Sequence, residues 1–223
     1  MNRYAVYFSP RDGAFAQRTA EWLGWNPETG HALPQPVLAG IGDPAAITTD
    51  PRRYGFHGTI RAPFRPAPGM TEAIIRDRVA GLAVRLAPVT CEGLRLEVLQ
   101  GFLALTPLGC EAALLDLAAA VVEGTNDLRA SLTEAEIARR RPDRLSARQR
   151  ALLDLWGYPY VMEEFRFHLT LTDRLDEPTP IRSALEDFFA PVLPRPFLIE
   201  DLCLFGEDAA GRFHLLHRYA LTG

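Results

Sequence analysis

Two of the five histidines in this sequence begin the same four-residue pattern, His-x-Thr followed by an apolar residue. The first copy, HGTI, begins at His57, and the second, HLTL, begins at His168. A histidine has an unperturbed pKa of about 6.5, so near neutral pH one imidazole can accept a proton while another donates one. A threonine hydroxyl can donate a hydrogen bond to a phosphate oxygen. The repeated pattern therefore indicates acid–base chemistry on a phosphodiester.

Both copies lie in segments that predict a β-strand, residues 54–62 and 165–172. Side chains on a strand alternate between its faces, so each histidine shares a face with the threonine two positions later. An arginine joins each polar face, and a guanidinium would balance the charge of a phosphate. The alternative interpretation of either copy alone is a half-exposed strand with polar residues toward solvent. The predicted polar faces carry His57, Thr59 and Arg61 in the first strand and Arg166, His168, Thr170 and Thr172 in the second.

The two motifs and their flanking words resemble the two-histidine (2H) phosphoesterase superfamily, which is named for a pair of His-x-Ser/Thr-x motifs. The words RRYGFH at 52–57, WGYPY at 156–160 and EFRFHLTLT at 164–172 resemble its branch encoded beside bacterial phosphonate-degradation genes. The likeness runs from Arg3 nearly to the C-terminus. It implies an α+β fold with two pseudo-symmetric lobes of sheet and helix around a central cleft.

The same resemblance implies an enzyme, a metal-independent phosphoesterase that hydrolyses a cyclic phosphodiester of a nucleotide or of phosphorylated ribose. It implies no cofactor and no metal, and it connects the chain with phosphonate metabolism. His57 and His168 would be catalytic, while Thr59 and Thr170 would bind phosphate. A small phosphorylated substrate or a nucleotide is the expected partner. The sequence leaves open which histidine is the acid, and it leaves the oligomeric state open.

Charge and composition exclude several other classes of function. The 223 residues carry a net charge of −4, which argues against a global positive field that would hold long nucleic acid. All 24 basic residues are arginine. The absence of lysine excludes a P-loop lysine, a protein-kinase lysine and Schiff-base chemistry within these residues.

The sequence predicts a cytoplasmic protein that does not interact with membranes. No apolar run approaches the roughly 20 residues that span a bilayer, and the first residues lack the features of a secretory signal. The three cysteines are odd in number and widely spaced, which favours reduced core thiols over a disulfide framework or a zinc site. They are Cys91, Cys110 and Cys203.

The periodicity predicts one bilobal domain over residues 1–223, with lobes at about 1–108 and 109–223 and a helical insert at about 126–160. Pro, Gly, Asp and Thr dominate residues 25–53, which predicts a long surface connection. Besides the two motif strands, we predict strands at 3–8, 89–99, 102–106, 197–205 and 213–220, and helices at 13–23, 71–86, 110–123, 146–156 and 181–189, with a further helical stretch starting at Thr133.

Three other features have both a functional and a structural interpretation. Tyr158 and Tyr160 either contact a substrate or form a packed turn around the proline between them. The arginine run at 139–141 is either a solvated helix end or part of a lid. His214 and His217 could both ligate a metal on a helix, but the alternation of 212–220 predicts a strand that separates them.

Two further classes of function compete with the phosphoesterase hypothesis. A nucleotide- or RNA-binding module would keep the cleft and bind cyclic phosphates without turnover. A structural partner of other proteins would keep its interactions after both histidines are replaced. A hydrolysis screen with and without a chelator separates these from a metal-independent enzyme.

Overall fold

The computed structural model describes all 223 residues. Seven strands form one antiparallel sheet in the order β11-β10-β1-β4-β8-β7-β6, and two small two-stranded sheets pair β2 with β3 and β5 with β9. The strands are β1 (Tyr4–Phe8), β2 (Trp25–Asn26), β3 (His31–Ala32), β4 (Gly58–Phe64), β5 (Val89–Cys91), β6 (Gly93–Leu99), β7 (Phe102–Leu108), β8 (Leu169–Thr170), β9 (Phe197–Ile199), β10 (Asp201–Glu207) and β11 (Phe213–Ala220).

Side-chain caps begin three of the six α-helices. Thr71 accepts a hydrogen bond from the Ile74 amide, and reciprocal capping boxes begin the helices after Thr133 and Ser146. None of the helices combines the length and the apolar character needed to cross a membrane. The helices are α1 (Ala14–Leu23), α2 (Glu72–Ala83), α3 (Glu111–Gly124), α4 (Glu134–Arg139), α5 (Ala147–Trp156) and α6 (Pro178–Phe189).

The main sheet interleaves strands from distant parts of the chain. The central strands β4 and β8 lie side by side, with β1 next to β4 and the β6–β7 hairpin next to β8. The predicted α+β class is confirmed. The division into two lobes with a boundary near residue 108 stays a prediction.

The main hydrophobic core lies between the sheet and the helices that pack on it. The main core contains 35 buried side chains from both the sheet and the helices, among them Val6, Ile60 and Leu169. Trp22 on α1 ties helix to sheet by donating a hydrogen bond from Nε1 to the Leu171 carbonyl at 2.8 Å. Tyr7 belongs to a separate small cluster, with Phe205 and others. The side of the sheet that carries Tyr7 is therefore available for a site.

Several predicted strands are shorter in the structure than the sequence pattern suggests. The first motif strand begins at Gly58, because residues 51–53 form a 3₁₀ turn and Gly55 adopts a left-handed conformation with φ of 72°. The second is only Leu169–Thr170, since a 3₁₀ turn at Met162–Glu164 precedes it. The predicted strands at 89–99 and 197–205 each divide in two, because β5 and β9 leave the main sheet and pair with each other.

The connection at 25–53 is more ordered than predicted. It contains the β2–β3 hairpin and two 3₁₀ turns, and several of its side chains are buried. Arg52 Nη2 donates hydrogen bonds to the Gln35 side chain, the Ala45 carbonyl and the Thr48 hydroxyl at 2.9–3.0 Å. These contacts fix the backbone that leads into the first histidine motif.

The prediction of three reduced thiols is wrong for two of the cysteines. Cys91 at the end of β5 and Cys110 just before α3 form a disulfide, with their Cα atoms 5.0 Å apart. Only Cys203 is a free thiol, and it is buried. The fold brings together two residues separated by 19 positions, which spacing alone does not reveal.

Candidate active site

The two histidine motifs meet on adjacent strands at the centre of the sheet. Gly58 on β4 pairs with Leu169 on β8 in an antiparallel register. The flanking residues therefore lie opposite each other as His57 with Thr170 and Thr59 with His168. Because side chains alternate along a strand, all four project to the same face, with directly opposed Cβ atoms roughly 5 Å apart. The strand pairing brings the predicted catalytic and phosphate-binding residues together.

Close packing beneath this face explains the glycine in the first motif. A Cβ atom at Gly58 would collide with the ring of Phe167, so the buried phenyl ring occupies the space that a side chain would need. Leu169, opposite Gly58, is fully buried. On the core side, the two strands therefore pack against each other through Gly58, Phe167 and Leu169.

The two imidazoles are held in the same way by their own backbone. Nδ1 of His57 lies 2.8 Å from the Gly55 carbonyl oxygen, and Nδ1 of His168 lies 2.8 Å from that of Arg166. A carbonyl oxygen only accepts hydrogen bonds, so Nδ1 must donate and carry the proton in the neutral ring. Each neutral histidine therefore has its lone pair on Nε2, available as a base.

A cleft of about 310 Å³ opens beside these residues, lined by His57, Thr59 and Thr170 together with Tyr7, Tyr54 and Tyr158. The Tyr7 ring stacks on His57 with 4.1 Å between centroids. His168 is not among the residues that line this cleft, but its ring lies 5.6 Å from that of Phe102, which does line it. Aromatic rings therefore support both imidazoles.

Burial favours the neutral form of both histidines in the free protein. Desolvation lowers the pKa of His57 to about 4, since the hydrogen bond to Gly55 offsets only part of the cost, and the nearby His168 lowers it further. Desolvation also lowers the pKa of His168, opposed by its hydrogen bond to Arg166. Desolvation is thus the main cause of the lowered pKa of both histidines.

Arg140 is a positive charge in the cleft without a carboxylate partner. It caps the C-terminus of α4, and its guanidinium lies 4.7 Å from the centroid of Tyr158. Arg3, which also lines the cleft, is neutralised by a two-pronged contact with Glu207. Asp173 also lines the cleft, and its carboxylate accepts hydrogen bonds from the Thr49 and Asp50 amides. The sequence indicates the 139–141 run as a helix end or a lid but does not distinguish Arg140 from its neighbours.

The structure does not place Arg61 on the motif face. Tyr7 on β1 pairs with Thr59, and the residue before it, Val6, pairs with Arg61. Ile60 therefore has no partner on β1 and is the extra residue of a β-bulge. Arg61 is buried, and its Nη1 donates to the Trp156 carbonyl at 2.9 Å. The bulge interrupts the simple alternation on which the prediction rested and turns Arg61 into a neighbouring cavity.

Arg166 and Tyr160 also lie away from the cleft. Arg166 is exposed, and its Nη1 donates to the carbonyls of Glu163 and Phe165. Arg166 lies three residues before β8 begins at Leu169, whereas His168 directly precedes the strand, so strand alternation does not extend to Arg166. Of the two tyrosines, Tyr158 lines the cleft, whereas Tyr160 is exposed and meets Tyr158 edge-on. Thr172 lines the cleft, but its hydroxyl already accepts a hydrogen bond from the Leu103 amide.

The remaining histidine pair lies on a strand, as predicted. His214 and His217 both belong to β11, and His214 contacts the Asp208 carboxylate at 2.8 Å. His217 instead lies beside Tyr219 and Arg76. The two rings therefore have separate surroundings.

Comparisons with known proteins give one family match and similar curated proteins. A family model described as a protein of unknown function, DUF1045, matches residues 59–214. A protein of Janthinobacterium sp. (strain Marseille) named ribose 1,5-bisphosphate phosphokinase PhnN is 39% identical over 220 residues, 95% of this chain and 49% of that protein. Its namesake in Laribacter hongkongensis (strain HLHK9) is 38% identical over 219 residues, 94% of this chain and 49% of that protein. The chain spans about half the length of these curated relatives.

Two solved structures are similar across the whole chain at low sequence identity. TT0787 of Thermus thermophilus has a TM-score of 0.47 and 16% identity, covering 99% of this chain and 98% of that one. A structure described as a phosphoesterase also has a TM-score of 0.47, with 14% identity and coverage of 100% of both chains.

Proposed function

This chain belongs to the DUF1045 family, and we propose that it is a phosphoesterase that opens a cyclic phosphodiester of a small phosphorylated substrate. The family match and the two PhnN-named relatives support the resemblance to the branch of the 2H phosphoesterases that is linked to phosphonate metabolism. One observation supports the proposal most directly. Two imidazoles, each with Nδ1 fixed on a backbone carbonyl, share one sheet face with two threonine hydroxyls.

In the proposed reaction, Nε2 of one histidine takes a proton from a water molecule as the water oxygen bonds to phosphorus. The bond from phosphorus to one ester oxygen of the ring breaks, and the other histidine donates its Nε2 proton to that oxygen. The product is a phosphate monoester with a free hydroxyl. Thr59 and Thr170 donate hydrogen bonds to the non-bridging oxygens, and Arg140 offsets their charge.

We assign His57 as the base and His168 as the acid. His57 is stacked on Tyr7, and both burial and the charge of His168 favour its neutral form. A base must be neutral and an acid must be charged at the start of the reaction. The negative phosphodiester would favour the charged form of His168 once it is bound, because opposite charges raise the pKa of an imidazole.

The proposed substrate is a cyclic phosphodiester of phosphorylated ribose. The relatives named above are phosphokinases of ribose 1,5-bisphosphate. If the cyclic phosphate of a ribose 5-phosphate joins O1 and O2, breaking the bond between phosphorus and O2 leaves ribose 1,5-bisphosphate. A role in phosphonate metabolism is part of the proposal and follows the resemblance of the motif-flanking words.

The phosphokinase activity named for the relatives is not part of the proposal. The chain matches half of their length and contains no lysine, whereas a P-loop kinase uses a lysine on the β- and γ-phosphates. The competing proposal is a binding module that holds nucleotides or RNA without turnover. We call the cleft lined by His57, Thr59 and Thr170 the histidine cleft. It fits either function, so a measurement of turnover decides between them.

A hydrolysis screen tests the proposal. Cyclic nucleotides and the 1,2-cyclic phosphate of ribose 5-phosphate are incubated with the protein, with and without EDTA, and the products are identified by ³¹P NMR. We expect a phosphate monoester from a cyclic substrate, at an unchanged rate in EDTA. The double variant His57→Ala/His168→Ala is the control for contaminating activity. Binding without turnover would favour the binding module, and a loss in EDTA that a divalent ion restores would overturn metal independence.

A further inference from the structure

A second cavity, of about 500 Å³, lies directly beside the histidine cleft. The two cavities are adjacent, because six residues line both of them: Arg3, Tyr54, Ala62, Pro63, Arg140 and Tyr158. The lining of the second cavity includes seven arginines but only two carboxylates, Glu136 and Glu207. We call it the arginine cavity. Its charge differs sharply from the net charge of −4 of the whole chain.

Both carboxylates of the arginine cavity are already paired. Glu207 binds Arg3, and Glu136 binds Arg65 through two hydrogen bonds of 2.9 Å. The other five arginines have no carboxylate partner in the structure. These unneutralised arginines are Arg53, Arg61, Arg129, Arg139 and Arg140.

Arg61 distinguishes this cavity from an ordinary basic surface. Its side chain is almost completely buried, with 1% of the residue exposed. Only Nη1 has an acceptor, the Trp156 carbonyl, while Nε and Nη2 are buried without any partner. Burial and the neighbouring Arg129 lower the pKa of Arg61 to about 10. Buried donors without acceptors are unfavourable, so a ligand that supplies acceptors and negative charge fits this position.

We propose that the arginine cavity binds a terminal phosphate group of the substrate whose cyclic phosphodiester lies at the two histidines. This inference rests on the proposed function. Thr59 and Arg61 are two residues apart on β4, a separation of roughly 7 Å along the strand. A single phosphorylated sugar can bridge such a distance. The cavity would therefore select a cyclic phosphodiester that carries a second phosphate.

The test compares a cyclic phosphodiester that has a terminal phosphate with the same compound lacking it, in the wild type and in Arg61→Gln. We expect the wild type to favour the phosphorylated compound in kcat/KM by about tenfold or more. Arg61→Gln should raise KM for that compound by a similar factor and change KM for the other by less than about twofold. Equal kinetics for both compounds in the wild type would overturn the inference and leave the phosphoesterase proposal intact.

Because Arg61 is buried, the Arg61→Gln variant could fail to fold, so variants at exposed arginines are tested as well. Arg53→Gln and Arg139→Gln remove charges that line only the arginine cavity, and each should weaken the preference for the terminal phosphate. Arg144→Gln is the matched control, because Arg144 is exposed and lines neither cavity. An equal effect of the control variant would show a general charge effect and contradict the inference.

A binding measurement keeps the inference independent of turnover. Calorimetry with ribose 5-phosphate, ribose and inorganic phosphate should show tight binding of ribose 5-phosphate alone, weakened by Arg53→Gln and Arg139→Gln. If inorganic phosphate binds as tightly as the sugar phosphate, the cavity is a site for the free anion and the substrate assignment is wrong. Absence of binding by every probe would also overturn it.

Discussion

His57 precedes a seven-residue strand, whereas His168 precedes a strand of only two residues. His57 is covered by the stacked ring of Tyr7 and lines the cleft, while His168 lies beside Phe102, which also lines it. In spite of this, each Nδ1 makes the same 2.8 Å contact with the carbonyl two residues earlier. The local backbone carbonyl therefore orients each imidazole, and the length of the strand does not.

Replacing either histidine by alanine tests whether the two positions are equally necessary. We expect kcat to fall about 100-fold or more in His57→Ala and in His168→Ala, because each removes an acid or a base. Steady-state kinetics on the substrate identified by the screen measure the loss. Thermal unfolding is the control, and a loss of folding in both variants would favour a structural role for the histidines.

The pH dependence of the rate tests the difference between the two histidines. We expect kcat/KM to be bell-shaped, with an acidic limb near pH 4 where neutral His57 becomes protonated, since burial lowers its pKa to about 4. The acidic limb of the kcat profile should lie at higher pH than that of kcat/KM, because the bound phosphodiester stabilises the imidazolium. His57→Gln should lose the acidic limb and His168→Gln the basic limb. The reverse assignment of limbs would exchange the two roles.

Gly58→Ala tests the packing that couples the two motifs. The added methyl group would meet the Phe167 ring, so we expect a loss of about 1–3 kcal/mol in the free energy of unfolding. Gly81→Ala in α2 is the matched control, because nothing lies within 4 Å of its added Cβ, and it should stabilise the protein by about 0.5–1 kcal/mol. Equal stability of Gly58→Ala and the wild type, measured by urea unfolding, would contradict this account.

Protein stability should also depend on the protonation of His57. Its pKa is about 4 in the folded protein and about 6.5 when unfolded, so the unfolded state binds more protons between these values. The contribution of neutral His57 is fully present above pH 6.5 and is lost as the pH falls toward 4. His57→Gln should flatten the fall in unfolding free energy over this window. An unchanged slope in His57→Gln would contradict this account.

The smallest effect is expected for Arg166→Gln. The Arg166 side chain is exposed and bonds to neighbouring carbonyls outside the cleft, so kcat/KM should change by less than about twofold. Arg140→Gln, which removes a charge in the cleft that has no carboxylate partner, is the comparison and should reduce kcat/KM by more. A strong effect of Arg166→Gln in kinetic assays would restore its predicted contact with phosphate.

Features set by neighbouring residues were predictable from the sequence. The cap at Thr71, the turn at residues 100–101 between β6 and β7, and the strand at Phe213–Ala220 all agree with the structure. The motif face was also predictable, because alternation holds from His57 to Thr59 and from His168 to Thr170. It failed at Arg61, where one extra residue in β4 changes the register with β1.

The α+β class, the two histidine motifs and the four side chains that share a face could thus be inferred from the amino-acid sequence. They follow from periodicity and capping, which act over a few residues. The fold was needed to make β4 and β8 neighbours, in a register that opposes each histidine to a threonine. It was also needed to form the Cys91–Cys110 disulfide and to gather arginines around Arg61. These features could not be predicted because pairing register, burial and unpaired charge depend on contacts between residues far apart in the chain.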